Sequence, residues 1–358
     1  MKNLLLGFIR LHPNLAAILF GSIAAVAMLG AAEAFFRTTL WLKTAPGEGP
    51  AVSNFFEIVE PFPVLGYHAK PSSFLNERLT RRGVTIFTAN YHTDAQSRRI
   101  TPIKHEQRDF FAAFFGCSVT FGTGVEDGET LPAQLGTYSD AYRPLNYGFP
   151  GYGLQQVWLQ LTDVSFVETL PTGKGVVIYT FIDDHLNRLV GTPAVLTGWN
   201  YALPWLTEEN GQVRHTGTFR DRDLLRYYVC RYLGRMHVYR FLENHLAAAQ
   251  TVQIPGTAAM DFAALVIQDA ADKLHAVRPE VRFCLLIFPN CGSGGDLRAR
   301  IDTSLITVFD YSSLLETTGL PKDELWYRDS AACTWGHPKA AAYSYVAEQL
   351  AKDLAACQ

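Results

Sequence analysis

Apolar residues in this chain gather into short runs separated by stretches of helical spacing. The run at 110–115 (FFAAFF) ends at Gly116 and is followed by a glycine-punctuated turn at 122–124. A bounded apolar run of this length reads as a strand buried on both faces. Further runs occur at 144–148, 175–182 (GVVIYTFI), 281–288 (VRFCLLIF) and 306–311 (ITVFDY). Between them, helical patterns cover 131–135, 155–166 and 258–277. A last helix is predicted over 338–356, with Tyr345, Leu350 and Leu354 at helical spacing. Alternating strands and helices predict an α/β fold whose parallel sheet is covered by helices.

Two regions break this rhythm. Residues 57–104 alternate short β-prone runs (63–67, 84–87, 89–91) with polar turns, which predicts small antiparallel strands packed on the main domain. Residues 195–255 contain no strand of the main sheet. They predict a hairpin around 203–213, then a basic, aromatic helix over 220–246, an insertion placed to cover either the site face or the sheet edge. The paired arginines Arg81, Arg82, Arg98 and Arg99 read as a solvated face, with an anion site as the alternative.

The N-terminal pattern differs again. Residues 15–32 carry no charge, close to the ~20 residues that span a bilayer as a helix. Lys2 and Arg10 precede this stretch, and Arg37 and Lys43 follow it. Ala32-Glu33-Ala34 would suit a signal peptidase. The apolar run is long for a signal sequence and starts late, so an uncleaved anchor is expected; a cleaved signal is the alternative. Either sends the chain from about residue 40 onward out of the cytoplasm. The expected organisation is a cytoplasmic stub and transmembrane anchor (1–43), a linker with a small β extension (44–108), and an α/β domain (109–358) carrying the 195–255 insertion. The expected location is the inner (cytoplasmic) membrane, single-pass, with the main domain periplasmic or extracellular.

Composition adds exclusions. At 48% hydrophobic and 18% charged, the 358-residue chain can bury a large core. A formal net charge of −3 supplies no basic field for nucleic acid, so no nucleic-acid partner is expected. The six cysteines form no CxxC pair and no zinc spacing, and no metal or cofactor is expected. Cys291 and Cys333, both in glycine- or alanine-rich loops, are the best-placed pair if a disulfide forms; Cys117 and Cys284 read as buried thiols.

The chemistry centres on Ser118, directly after the 110–115 strand. Ligands of open α/β sheets sit at the carboxyl ends of strands. A serine nucleophile needs a base and an oxyanion site. Among ten histidines, His337 stands in a loop after the last strand, with Pro338 leading into the final helix. Asp183, Asp184 and His185 cluster at another strand end, where one aspartate is expected to cap the next helix. Asn290 follows the 281–288 strand, where a turn role competes with substrate contact.

These segments resemble the blocks of the SGNH, or GDSL-like, hydrolase superfamily. Gly116-Cys117-Ser118 with Thr120-Phe121-Gly122 is similar to the first block, Asn146-Tyr147-Gly148-Phe149-Pro150-Gly151 to the second, Phe181-Ile182-Asp183-Asp184 to the third and His337-Pro338 to the fifth. The resemblance spans roughly residues 60–355. It implies a flavodoxin-like three-layer sandwich, Ser118 as nucleophile, His337 as base, and an oxyanion hole from the N–H groups of Ser118 and Gly151, with Asp183 at the position of the usual asparagine. An ionised Asp183 would repel an oxyanion, so it serves there only if protonated. Cys117 replaces the usual aspartate of the first block. The acid that normally precedes the histidine by two or three residues is replaced by Thr334 and Trp335. Asp329 is the nearest upstream carboxylate and the candidate triad acid; a Ser-His dyad is the alternative. Asp184, His185 and Asn290 are candidate substrate contacts. The implied function is a serine esterase or deacylase acting on ester-linked acyl groups, such as O-acetyl, of an envelope glycan. The alternatives are an O-acyltransferase using the same serine, and an impaired scaffold that binds glycan or serves as an envelope assembly partner.

Overall fold

The structure, a computed structural model, describes residues 13–43, 51–81, 83–102, 108–192, 195–196, 202–234, 236–239, 241, 257–328 and 336–357. Helix α1 (Pro13–Lys43) opens it. Within α1, Ala17–Thr39 has a mean hydropathy of 1.9 and buries nothing, so it is long and apolar enough to cross a membrane; a signal sequence meets the same criterion. Near its far end the Val238 N–H donates to Glu33 at 3.0 Å, and the Phe36 and Phe241 rings lie 4.8 Å apart.

Strands β1 (Ala51–Val52), β2 (Val59–Phe62), β3 (Gly66–Ala69), β4 (Phe74–Arg81) and β5 (Val84–His92) follow. β1, β4 and β5 form an antiparallel sheet and β2–β3 a hairpin. The runs expected at 84–87 and 89–91 are one strand, β5. Its partner β4 escapes a hydropathy reading because its buried face alternates Leu75, Glu77, Leu79 and Arg81. Phe55, Ile58, Leu75 and Tyr91 of this region bury in one cluster with Phe111 and Phe115 of the main sheet.

The main domain runs β6 (Phe110–Phe115), α2 (Ser118–Phe121), α3 (Leu131–Tyr138), β7 (Tyr142–Asn146), α4 (Leu154–Thr162), β8 (Gly175–Phe181) and α5 (Asp184–Val190). The insertion follows with β9 (Pro204–Glu209), β10 (Gln212–Thr218) and α6 (Leu224–Tyr232). The domain closes with α7 (Thr257–Val277), β11 (Val281–Ile287), α8 (Gly294–Arg298), β12 (Ile306–Asp310) and α9 (Ala340–Ala356). The helix expected over 155–166 breaks at Asp163, whose carboxylate caps a second short turn at Ser165 N. The hairpin β9–β10 turns at Asn210 and Gly211, both with positive φ, as a two-residue hairpin turn demands. The helix expected over 220–246 is broken instead: one turn at Phe219–Arg222, then α6, with residues 242–256 outside the described ones.

Five parallel strands make the central sheet in the order β12-β11-β8-β6-β7. Numbered from β6, that is the flavodoxin-like order 2-1-3-4-5, with its switch point between β6 and β8. Residues alternate between two cores. Phe111, Ala113, Val177, Tyr179 and Leu285 face α4 and α7; Ala112, Phe114, Ile178 and Leu286 face α3 and α9. The result is a three-layer sandwich that carries the carboxyl ends of β6 and β8 to one edge of the sheet.

Candidate active site

Ser118 is the first residue of α2, immediately beyond β6 and at the switch point. It is 8% exposed. Gly116 makes the sharp exit from the strand possible: its φ is 151°, and a Cβ there would lie 2.3 Å from Thr120 Oγ1. The Ser118 carbonyl accepts from the N–H groups of Gly122 (2.9 Å) and Thr123 (3.0 Å), which curls the turn tightly. The Ser118 N–H, at the helix start, has no acceptor among the described residues.

The loop after β7 is fastened to this turn. Asn146 Nδ2 donates to Thr120 O (3.0 Å) and Phe121 O (3.3 Å), its Oδ1 accepts from Gly148 N (3.0 Å), and Phe149 N donates to Gly116 O (3.1 Å). A Cβ on Gly148 would sit 2.5 Å from Thr120 Cβ and 2.7 Å from Phe121 N, so only glycine allows this approach. Gly151 follows with φ 81°. Its N–H, like that of Ser118, has no acceptor among the described residues. Arg188 braces the far side of the loop, donating from Nη1 to Tyr152 O at 2.6 Å, with Asp184 at 3.5 Å.

The largest departure from expectation is the arginine pair 98–99. Arg81 and Arg99 are 1% and 2% exposed, not part of a solvated face. Arg99 grips the serine turn: Nη1 donates to Phe121 O (2.8 Å) and Gly122 O (2.6 Å), Nη2 to Val125 O (2.6 Å) and Asn90 O (3.2 Å), and Nε to Asp127 Oδ1 (3.0 Å). Tyr91 OH adds a second clamp: it accepts from Gly124 N (2.8 Å) and donates to Glu77 (2.5 Å). The N-terminal extension thus holds the serine in place. No sequence signal marks Arg99 for this role, because its partners are mostly backbone carbonyls that any residue supplies.

His337 is half-buried. Its loop pairs with 325–327: Tyr327 N donates to His337 O (2.8 Å), Gly336 N to Tyr327 O (2.7 Å) and Lys339 N to Leu325 O (2.8 Å). Two phenols tie this unit to the serine turn, Tyr327 OH to Gly124 O at 3.0 Å and Tyr343 OH to Val119 O at 2.8 Å. Ser118 and His337 therefore belong to one bonded assembly. Among the described residues no hydrogen bond joins the Ser118 hydroxyl to the His337 ring. Asp329, the candidate triad acid, lies outside the described residues.

Asp183 is engaged elsewhere. Its carboxylate accepts from Gly292 N (2.8 Å), Ser293 N (3.0 Å), the Ser293 hydroxyl and the Cys291 thiol (3.0 Å), stitching the end of β8 to the loop before α8. Burial alone would raise its pKa. The bonds from Cys291, Ser293 and Gly292 outweigh that and hold it below the ordinary carboxylate value. Asp183 is an acceptor here, and it makes no side-chain cap on α5. The Cys291 thiol, pushed up by burial and by Asp183, is free rather than bridged; Cys333 lies outside the described residues.

The remaining candidates divide. Asp184 is exposed, at the start of α5. His185 is 1% exposed, with Nδ1 2.7 Å from Tyr179 OH and its ring stacked on that tyrosine. Burial holds it well below the usual histidine pKa, so it is a neutral core residue and not a surface contact. Asn290 is exposed in a left-handed turn (φ 65°), its N–H bound to Ser312 O at 2.9 Å.

Asp183→Asn introduces the side chain that the resemblance leads us to expect at this position, yet it is expected to destabilise the protein. An amide has one acceptor oxygen for donors that reach both carboxylate oxygens, and its N–H₂ would face either the Gly292 N–H or the Ser293 and Cys291 donors; the loss should be about 1.5–3 kcal/mol by urea titration. The folded pKa is depressed, so the native contribution is complete above the unfolded value of about 4 and fades as pH falls through the folded one. The wild-type and variant stability curves should converge in acid. Equal stability at pH 7 would show that the stitch contributes nothing.

No family model matches the chain, and no curated protein matches it. Solved structures similar to it include a protein placed in the lipolytic G-D-S-L family from Desulfitobacterium hafniense DCB-2, at 13% identity, covering 68% of this chain and 98% of that one, with a TM-score of 0.37. Another is a member of the same family from Veillonella parvula DSM 2008, at 10% identity, 68% and 97% coverage and a TM-score of 0.36. A third is the acetyl xylan esterase Est2A from the rumen bacterium Butyrivibrio proteoclasticus, at 10% identity, 78% and 72% coverage and a TM-score of 0.33. By its sheet order, with a serine turn after β6 and a glycine loop after β7, this chain has a flavodoxin-like, three-layer α/β fold.

Proposed function

We propose that this protein is a membrane-anchored serine esterase that removes ester-linked acyl groups on the non-cytoplasmic side of the membrane. The observation that carries the reading is the pair of backbone donors without an acceptor among the described residues, Ser118 N–H and Gly151 N–H, on two segments that hydrogen bonds fasten to each other. Such donors suit an oxyanion that develops only in the transition state. Ser118 Oγ attacks the ester carbonyl carbon while its proton passes to His337. The C–O bond to the leaving alcohol breaks, and the alcohol takes that proton. Water, activated by His337 in turn, hydrolyses the acyl-serine and restores both residues. Asp183 has no part in the oxyanion hole in this mechanism, because its carboxylate is held ionised by the 291–293 loop and has no proton to donate. If a sugar hydroxyl replaced water in the second half, the same steps would transfer the acyl group.

A scaffold without turnover is the second reading, favoured by the absence of a Ser118–His337 hydrogen bond among the described residues. Unliganded catalytic contacts are often long, and they close in the substrate complex. The two readings separate with a fluorophosphonate probe and p-nitrophenyl acetate on the full chain in detergent. The esterase should label and release nitrophenol, and Ser118→Ala should abolish both. Folded protein that neither labels nor hydrolyses between pH 5 and 9 would establish the scaffold.

A further inference from the structure

Between the β2–β3 hairpin, the 95–98 turn and the edge strand β7 lies a groove of about 750 Å³, within the size range of ligand sites. A second cavity of about 400 Å³ shares Arg98 and Arg143 with it, so both cations border each of the two. Arg98 is committed, with Nη2 on Asp94 at 2.7 Å and Nη1 on Tyr147 OH at 3.2 Å. Arg143 is half-buried and makes neither a hydrogen bond nor an ion pair with any described residue. A half-buried guanidinium that has no anion among the described residues is suited to take one from a ligand.

An independent observation points to the same ligand site. Gln160 lines the groove at 8% exposure, and its Oε1 is buried without a hydrogen-bond partner. A buried acceptor of this kind suits a hydroxyl donor from a ligand. The Tyr147 ring at the groove wall is already engaged, stacked on Phe115 at 4.9 Å, met edge-on by Phe166 at 5.5 Å and with the Arg98 guanidinium over it at 5.3 Å. An extended peptide would need a free strand edge. The β7 edge is already covered by the Arg99–Asn146 bridge and by Thr101 Oγ1 on Pro144 O at 2.8 Å.

We propose that this groove binds a segment of acidic glycan, with a sugar carboxylate on Arg143 and a hydroxyl donating to Gln160 Oε1. Binding needs no turnover and stands apart from the role of Ser118. The test is calorimetric titration of the full chain in detergent with tetragalacturonate, a neutral glucose tetramer and a tetraglutamate peptide. Tetragalacturonate should bind saturably, and Arg143→Gln and Gln160→Leu should each weaken it about tenfold without lowering the melting temperature. Ser118→Ala should bind as the wild type does, whatever becomes of hydrolysis. The proposal is overturned if the neutral tetramer binds equally well, if tetraglutamate binds at least as tightly, if Arg143→Gln has no effect, or if folded wild-type protein binds none of the three.

Discussion

Arg99→Met is expected to destabilise the protein by about 3–5 kcal/mol, as the loss of one partner from a buried ionic network does. The guanidinium is fully buried, and five bonds leave it for four carbonyls and Asp127. Methionine fills most of the volume but donates nothing, so Phe121, Gly122 and Val125 would keep buried carbonyls without their arginine donors. The flanking rings reinforce the site, with Tyr91 at 4.3 Å and Phe121 at 4.8 Å from the guanidinium carbon. Arg99→Lys should recover only part of the loss, because an ammonium is a point donor and cannot span carbonyls on both sides of the turn. Denaturant titration at neutral pH gives the ordering wild type, then Lys, then Met. A Met variant within 1 kcal/mol of wild type would mean that Arg99 does not hold the turn. Because the same carbonyls shape the turn carrying Ser118, fluorophosphonate labelling of the Met variant should fall further than its folded fraction alone predicts.

The Arg99 network also marks where sequence reading stops. The strands of the main sheet were legible because each is an uninterrupted apolar run, and the helices between them because their buried faces repeat at helical spacing. Ser118 was legible from its place after such a run. β4 was hidden because its buried face carries Glu77 and Arg81, which hydropathy scores as surface. The role of Arg99 was hidden for a related reason: a charged pair looks solvated until its partners are known, and those partners are distant backbone atoms. Asp183 failed differently. Its place in the third block was readable, but its partners lie more than a hundred residues away, in the 291–293 loop, and only the fold brings them together. Spacing reports which residue types share an end of the sheet. It does not report which lone pairs are already occupied.

Removing Ser118 and His337 together is expected to cost no more than removing either alone. If they act as one unit, each single alanine variant should lower turnover by about 10⁴–10⁶-fold, and the double variant should match the worse single. The residual rate in all three would come from the Ser118 and Gly151 N–H groups, which alanine at position 118 leaves in place. The alternative, two independent contributions, would multiply and push the double variant far below either single. Folding should not confound the comparison. Ser118 Oγ makes no hydrogen bond with any described residue, and the backbone of His337, which alanine preserves, holds its loop to Tyr327 through a 2.8 Å bond. The cycle is read from burst-free p-nitrophenyl acetate rates at saturating substrate, with melting temperatures as the control. Losses that multiply would break the Ser118–His337 assignment even if hydrolysis itself were real. The base would then have to be sought among other groups near the end of β6.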